Sequence, residues 1–315
     1  MRVHLPEVLR GRRIVVTGGC GFIGSHLVEA LWRENRVVVI DDLSAGCEDN
    51  IAGCDVDLHR RSVAEPLDEL LAGAEYVFHL AASVEVVRSL EDPAADARAN
   101  VLGVVNVLQA VRRTGVRRLV YSSSAAVYGV PRELPVGESH PAEPISPYGL
   151  SKLTGERYLR LFYELEGLPA VALRYFNVYG PRQRADSPYT GVISIFATNR
   201  LNGRPTVVYG DGEQTRDFVH VSDVVRANLA AAVAPLEQVG GRAFNIGTGR
   251  RTTVNWLVAA LGLPEGSVSR APARSGDIRH SVADVSLAEE VLGFRARVAL
   301  EQGLGDYLDY LGGGG

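Results

Sequence analysis

The sequence is almost without lysine. Lysine and arginine together number 33 in the 315 residues, and all but one of them are arginine; the exception is Lys152. A chain that uses arginine wherever a cation will serve has kept one ammonium, which singles out its position. Cysteine is scarce as well. Cys20, Cys47 and Cys54 form no CxxC pair, which argues against a zinc site, so no metal is expected. So odd and sparse a count suits a reducing cytosol better than a disulfide framework, and the protein is expected to be cytoplasmic. No apolar run reaches the roughly 18 residues of a membrane span, and Met1–Arg13 holds no apolar stretch of the signal-peptide kind. The net charge of −4 leaves no global basic field to recruit nucleic acid or an anionic membrane.

What is present is a large apolar fraction, 46%, beside 22% charged residues. At this length that suits one large domain or two intimate ones. Arg13–Thr17, Arg36–Ile40, Tyr76–Leu80, Arg118–Tyr121 and Ala170–Leu173 read as strands. Phe22–Glu34, Ala94–Thr114 and Ser146–Glu166 show helical spacing. Strands alternating with helices predict right-handed βαβ units and a parallel sheet. The near-continuous Val/Ile runs agree, because parallel strands are buried on both faces. The expected fold class is α/β: a Rossmann-type doubly wound parallel sheet over residues 1–175. Beyond it the loops lengthen and short helices follow at Gly191–Leu201, Val221–Ala234, Thr253–Leu261, Leu287–Leu292 and Leu300–Leu311. Residues 176–315 therefore predict a smaller α/β substrate-binding lobe with segments returning to the sheet. The glycines at 312–315 read as a flexible tail.

Gly18, Gly21 and Gly24 lie in TGGCGFIG, after the first strand and at the start of its helix. Glycine permits the tight turn and a close backbone approach to a pyrophosphate, and the helix N-terminus supplies free N–H groups. Strand before and helix after give this triplet the context a dinucleotide site requires. Asp41 ends the second strand, where a carboxylate accepts the adenosine ribose hydroxyls and repels a 2′-phosphate, favouring NAD over NADP. The following Asp42–Leu43–Ser44 also fits a plain turn cap. Asp57–Leu58, read as following the third strand, is a candidate adenine contact. Ala81 and Ala82 leave room for a cofactor across the strand ends, or are simple packing.

Tyr148 and Lys152 are four apart in a helical pattern and share one face. A nearby ammonium stabilises a phenolate and lowers its pKa from about 10, which makes tyrosine a usable base near neutral pH. An ordinary helix would carry such a pair in solvent; the absence of any other lysine favours a role. Ser122, Ser123 and Ser124 end a strand, where open α/β sheets bind ligands. A hydroxyl there can bond a sugar hydroxyl and relay its proton to Tyr148, or cap the next turn.

TGGCGFIG, the serine run before Ala125–Tyr128, Tyr148-x-x-x-Lys152, RYFNVYG (174–180) and GDGEQTRDFVHVSDV (210–224) together resemble the extended short-chain dehydrogenase/reductase family, and within it the nucleotide-sugar 4-epimerases. The resemblance implies bound NAD, with Phe22, Ile23, Asp42, Leu80, Asn100, Ser122 and Tyr175 joining the cofactor site. It implies that Tyr148, assisted by Ser124, takes the proton of the sugar 4-hydroxyl while hydride moves from C4 to NAD. A bound 4-ketose then turns over and takes the hydride back on its other face. Arg216 and Arg274 would hold the pyrophosphate of a UDP-sugar, Asp277 the nucleotide ribose, and Asn177 the diphosphate-sugar region, with Ser123 and Val192 also on the substrate side. Each arginine could equally be a surface cation. A homodimer through the long helical patterns is implied too.

The family's 4,6-dehydratases carry an acidic pair where this chain has Ala125 and Ala126. Without a general acid there, elimination has no proton donor. Arg184 follows GPRQ, as in uronate epimerases, and a cation facing sugar C6 suits a carboxylate; Asn177 resembles the neutral-sugar enzymes. Ser281 is small and leaves space for a larger substituent. The expected substrate is UDP-glucuronate/UDP-galacturonate, with UDP-glucose or UDP-N-acetylglucosamine as the alternative. Another NAD-dependent nucleotide-sugar oxidoreductase, or a non-catalytic NAD-binding regulator, is the remaining reading of the fold.

Overall fold

The computed structural model describes residues 4–184, 191–273 and 277–313. Its first six strands are β1 (Arg13–Thr17), β2 (Arg36–Asp41), β3 (Asp57–Arg60), β4 (Tyr76–His79), β5 (Arg118–Ser124) and β6 (Ala170–Tyr175). With the strand Ala243–Ile246 they form one seven-stranded sheet in the order β3-β2-β1-β4-β5-β6-(Ala243–Ile246), every pairing parallel. The order reverses between β1 and β4, the switch point at which such sheets open a crevice at their carboxyl ends.

The Val/Ile runs are buried on both faces, and pleat alternation divides them. Ile14, Val16, Val37 and Val39 join Leu27 and Val28 in one core. Val15, Val38 and Ile40 join Val77, Leu119 and Leu159 in the other. The chain returns to the sheet late: Val224, Val225 and Leu229 of the helix Val221–Val233, then Phe244 and Ile246, enter the first of these cores. The remaining C-terminal segments build a separate core from Tyr179, Phe196, Leu257, Leu304 and Tyr307. Short strand pairs trim it, among them Asn177–Tyr179 with Phe218–His220 and Thr215–Arg216 with Thr252–Thr253. Among the described residues no helix is long and apolar enough to cross a membrane.

Three local differences from the sequence reading bear on the site. β5 runs on through the serine run, because Ser122, Ser123 and Ser124 pair with Leu173, Arg174 and Tyr175. The long pattern at Ala94–Thr114 is interrupted: Pro93–Ala97 is α-helical, Arg98–Leu102 is a π turn, and Gly103–Thr114 is α-helical again. Asp57 and Leu58 open β3 instead of following it, since the pairing to β2 begins at Val38↔Asp57.

Candidate active site

The glycine loop closes on itself and on the end of β4. Gly18 has φ +71, and a Cβ there would lie 2.6 Å from the Ala81 nitrogen. A Cβ on Gly24 would collide with the Gly18 carbonyl oxygen. At Gly18 only glycine satisfies both the conformation and the space, and at Gly24 the space alone requires it. The helix Phe22–Leu31 starts at Gly21 with no side chain capping it, so the Phe22 and Ile23 end is free of competing side-chain acceptors. A bare helix N-terminus over a glycine cradle fits the pyrophosphate of NAD.

Asp41 is buried at the end of β2, and its carboxylate accepts the Cys20 N–H (2.9 Å) and the Leu43 N–H (2.8 Å). Burial pushes its pKa up. It thus ties the glycine loop to the turn after β2, and Leu43 adopts φ +58 to complete that turn. The capping role is real, and each oxygen keeps a lone pair for ribose hydroxyls. Asp42 is exposed and accepts from Ser44 N–H (3.0 Å). After β4, Leu80 N–H donates to the Thr17 carbonyl (3.0 Å) and Ala81 N–H to Thr17 Oγ1 (3.3 Å), with Ala82 next. Asn100, in the π turn, clamps Ser83 by both backbone groups. Asp57 and Leu58 are misplaced for adenine. Asp57 is exposed, level with Val38 and beside His59 (3.2 Å). The carboxyl end of β3 carries Arg60 and Arg61 instead.

Tyr148 and Lys152 sit one turn apart near the start of the helix Pro147–Glu166. Ser146 caps it by accepting from Gly149 N–H (3.1 Å), and Pro147 occupies its first turn. Both functional side chains are buried, Lys152 to 2% exposure, which removes the solvated-pair alternative. Lys152 Nζ donates to the Ser122 carbonyl (2.7 Å) and lies 5.0 Å from the Tyr121 ring centroid and 5.9 Å from that of Tyr148. Burial lowers its pKa to about 8, and Asp96 and Glu156 oppose the fall. The expected depression of Tyr148 is corrected here. Burial pushes the phenol up to about 12, and the hydrogen bond with Ser124 only partly offsets it. The ammonium rests on a carbonyl and a ring face, so it does not neutralise the phenol directly.

Ser124 serves both readings of the serine run: it reaches Tyr148 and also accepts from Ala126 N–H (3.2 Å), capping the turn Ala125–Tyr128. Ser123 is corrected. Strand alternation turns it to the other face, where its hydroxyl donates to Glu156 Oε1 (2.5 Å) at 2% exposure, away from any sugar. Ser122 bonds the Tyr175 phenol, which also donates to Asn228 Oδ1 (3.0 Å); the Tyr175 hydroxyl is spent inside the core.

On the substrate side, Asn177 is exposed and Val192 opens the helix Val192–Leu201. Burial lowers the pKa of Arg216, and Asp277 opposes the fall, so the fold brings these two together. Arg216 also donates to the Thr215 carbonyl (2.9 Å). Arg274 lies outside the described residues. Arg184 is exposed at the end of a pinned loop: His26 Nε2 contacts the Pro181 carbonyl (2.9 Å), Arg182 pairs with Glu29 (2.7 Å), and Ser194 Oγ donates to the Arg184 carbonyl (3.4 Å). A groove of about 720 Å³ lies elsewhere, against Arg157, Tyr163 and Arg242 at the sheet edge. Neither Tyr148 nor Lys152 lines it.

Sequence reasoning missed the buried groups behind the site. Asp96 accepts from Asn100 Nδ2 (2.8 Å) and from Ser151 Oγ (2.6 Å). Glu156 receives Arg174 through two hydrogen bonds (2.9 and 2.7 Å). The available signals were a carboxylate four before Asn100 and an acid one turn beyond Lys152.

Residues 14–247 match the NAD dependent epimerase/dehydratase family. A UDP-glucose 4-epimerase of Mycolicibacterium smegmatis is 40% identical over 311 residues, covering 95% of this chain and 98% of the relative. The crystal structure of UDP-glucose 4-epimerase with UDP-glucose from Thermotoga maritima superposes with a TM-score of 0.90 at 39% identity, covering 96% of this chain and 99% of that one. MoeE5 in complex with UDP-glucuronic acid and NAD gives a TM-score of 0.84 at 36% identity, covering 96% and 99%. The chain belongs to the NAD dependent epimerase/dehydratase family, and it is an epimerase that uses NAD.

Proposed function

We propose that the protein inverts C4 of a UDP-sugar, with Tyr148, Ser124 and Lys152 as its catalytic residues. The observation that carries this reading is the buried Tyr148–Lys152 pair, with Ser124 lowering the phenol's pKa from the carboxyl end of β5, in the same sheet as the strand β1 that carries the glycine loop. In its ionised form, which the positive charges of Lys152 and of bound NAD would favour against the cost of burial, Tyr148 takes the proton of the sugar 4-hydroxyl through Ser124. Lys152 holds the cofactor ribose and keeps a positive charge near the phenol. When bound, NAD would supply the hydride acceptor and a positive charge. Ala125 and Ala126 offer no acid to the departing hydroxyl of an elimination, which supports epimerisation over dehydration. Asp41, Gly18, Gly21 and Gly24 hold the dinucleotide; Arg216, Asp277 and Asn177 hold the UDP portion.

For the sugar, Arg184 supports UDP-glucuronate/UDP-galacturonate, because a guanidinium pairs bidentately with a C6 carboxylate. UDP-glucose is the second reading, favoured by Asn177 and by the relatives that carry that substrate in their names. The purified protein, incubated without added NAD, is expected to invert C4 with no accumulating NADH, followed by NMR of the anomeric proton. A stable 4-keto or pentose product would sink the epimerase reading. Arg184→Ala is expected to lower kcat/KM for UDP-glucuronate by about 10-fold or more, the worth of one charged hydrogen bond. UDP-glucose turnover should barely change; an equal loss on both sugars would refute the carboxylate role.

A homodimer belongs to the same proposal. Leu102, Leu150, Leu161 and Leu165 stand exposed on the helices that would form it.

A further inference from the structure

Lys152 is a buried cation, and a buried cation needs a counter-charge. Glu156, one turn away, is already neutralised by the two hydrogen bonds from Arg174, which comes from β6. From β5 the facing group is Tyr121, whose phenol is pushed far up by burial and stays neutral. From β4 it is His79, held down to about 3 by burial and by Lys152, and so also neutral. The remaining charge facing the pair is Asp96, on the helix Pro93–Ala97. It is 2% exposed, and among the described residues no arginine pairs with it. Its two oxygens accept only neutral donors: Asn100 Nδ2 (2.8 Å), and the hydroxyl of Ser151 (2.6 Å), the residue between Tyr148's turn and Lys152.

We propose that Asp96 is the counter-ion of the catalytic pair, a positioning residue that sets the charge state of Lys152 and Tyr148 together. Its hydrogen bonds serve the same end from two sides. Through Ser151 it fixes the catalytic helix, and through Asn100 it fixes Ser83 beside the cofactor loop. The carboxylate is not in the substrate's path. It acts on charge: its field favours the ammonium on Lys152 and disfavours the phenolate on Tyr148.

This inference rests on Tyr148 and Lys152 being the acid–base pair, and its sign is distinctive. Removing one negative charge makes both groups easier to deprotonate. In Asp96→Asn both limbs of the kcat/KM–pH profile are therefore expected to move to lower pH, by about one unit. Ser151→Ala removes the hydrogen bond but keeps the charge, so it is expected to lower kcat without moving either limb. An independent reading comes from tyrosinate absorbance titrated with and without Tyr148→Phe, which isolates the Tyr148 phenol in the folded protein; Asp96→Asn should shift that titration downward. Should Asp96→Asn fail to fold, Asp96→Ala/Ser151→Ala removes the charge together with one of the two donors it would strand, leaving Asn100 bonded to Ser83, and takes the same readouts. Limbs that stay in place, or move apart, overturn the proposal. An active Tyr148→Phe overturns the assignment of the pair instead, and the two failures are thereby told apart.

Discussion

Tyr148→Phe is expected to lower kcat by about 10²–10⁴-fold, the usual worth of a positioned acid–base group, while KM changes little. The ring stays buried and loses only the hydroxyl that Ser124 reaches. Lys152→Arg is expected to fail nearly as badly. The ammonium fits between the Ser122 carbonyl at 2.7 Å and the Tyr121 ring at 5.0 Å, both fixed in the sheet. A forked guanidinium overfills that space, and overpacking a dense interior costs about 1–3 kcal/mol before any chemistry is counted. The pH sign follows from burial. Lys152 titrates at about 8, so its charge is complete below that pH and disappears above it. The rate should fall on the alkaline side from about pH 8, as kcat/KM measured across pH would reveal. A Tyr148→Phe variant with near-native turnover would refute the acid–base role outright.

Those elements were legible because their signals are local. Glycines between a Val/Ile run and a helix can mean little else than a tight turn, and a lone lysine four residues after a tyrosine stands out from any composition. Ala125 and Ala126 were equally readable, since a missing acid needs no geometry. What failed depended on register. Asp57 looked as though it followed β3, but β3 is charged and poor in apolar residues, so nothing in DLHR announced where pairing with β2 begins. Ser123 could not be separated from Ser122 and Ser124 until the strand was known to extend through all three and alternate. The depressed phenol of Tyr148 was inferred from spacing alone, whereas the outcome turns on burial, which spacing does not report. Asp96 left only a weak trace, a carboxylate four before Asn100, because its bond with Ser151 joins two different helices and spacing does not report which helices meet.

The Glu156–Arg174 pair yields the largest expected effect on stability. Glu156 is 7% exposed and accepts Ser123 Oγ at 2.5 Å and Arg174 at 2.9 and 2.7 Å. Arg174 also donates to the Tyr128 phenol (2.8 Å), which in turn donates to Asn245 Oδ1 (2.6 Å). One network therefore joins the catalytic helix, β5, β6, the turn Ala125–Tyr128 and the returning strand Ala243–Ile246. Glu156→Ala leaves a buried guanidinium without its carboxylate, a change that costs about 3–5 kcal/mol. For a chain of this size the melting temperature should fall by on the order of 10 °C. Glu156→Gln keeps the shape and one acceptor, and so should lose less. Thermal unfolding followed by circular dichroism measures both, and a Glu156→Ala midpoint within about 2 °C of the parent would show the pair to be dispensable. Activity should fall along with stability in Glu156→Ala, for a geometric reason. Ser123, released from Glu156, neighbours the Ser122 carbonyl on which Lys152 rests. Loosening that strand end loosens the one ammonium that the chain retains.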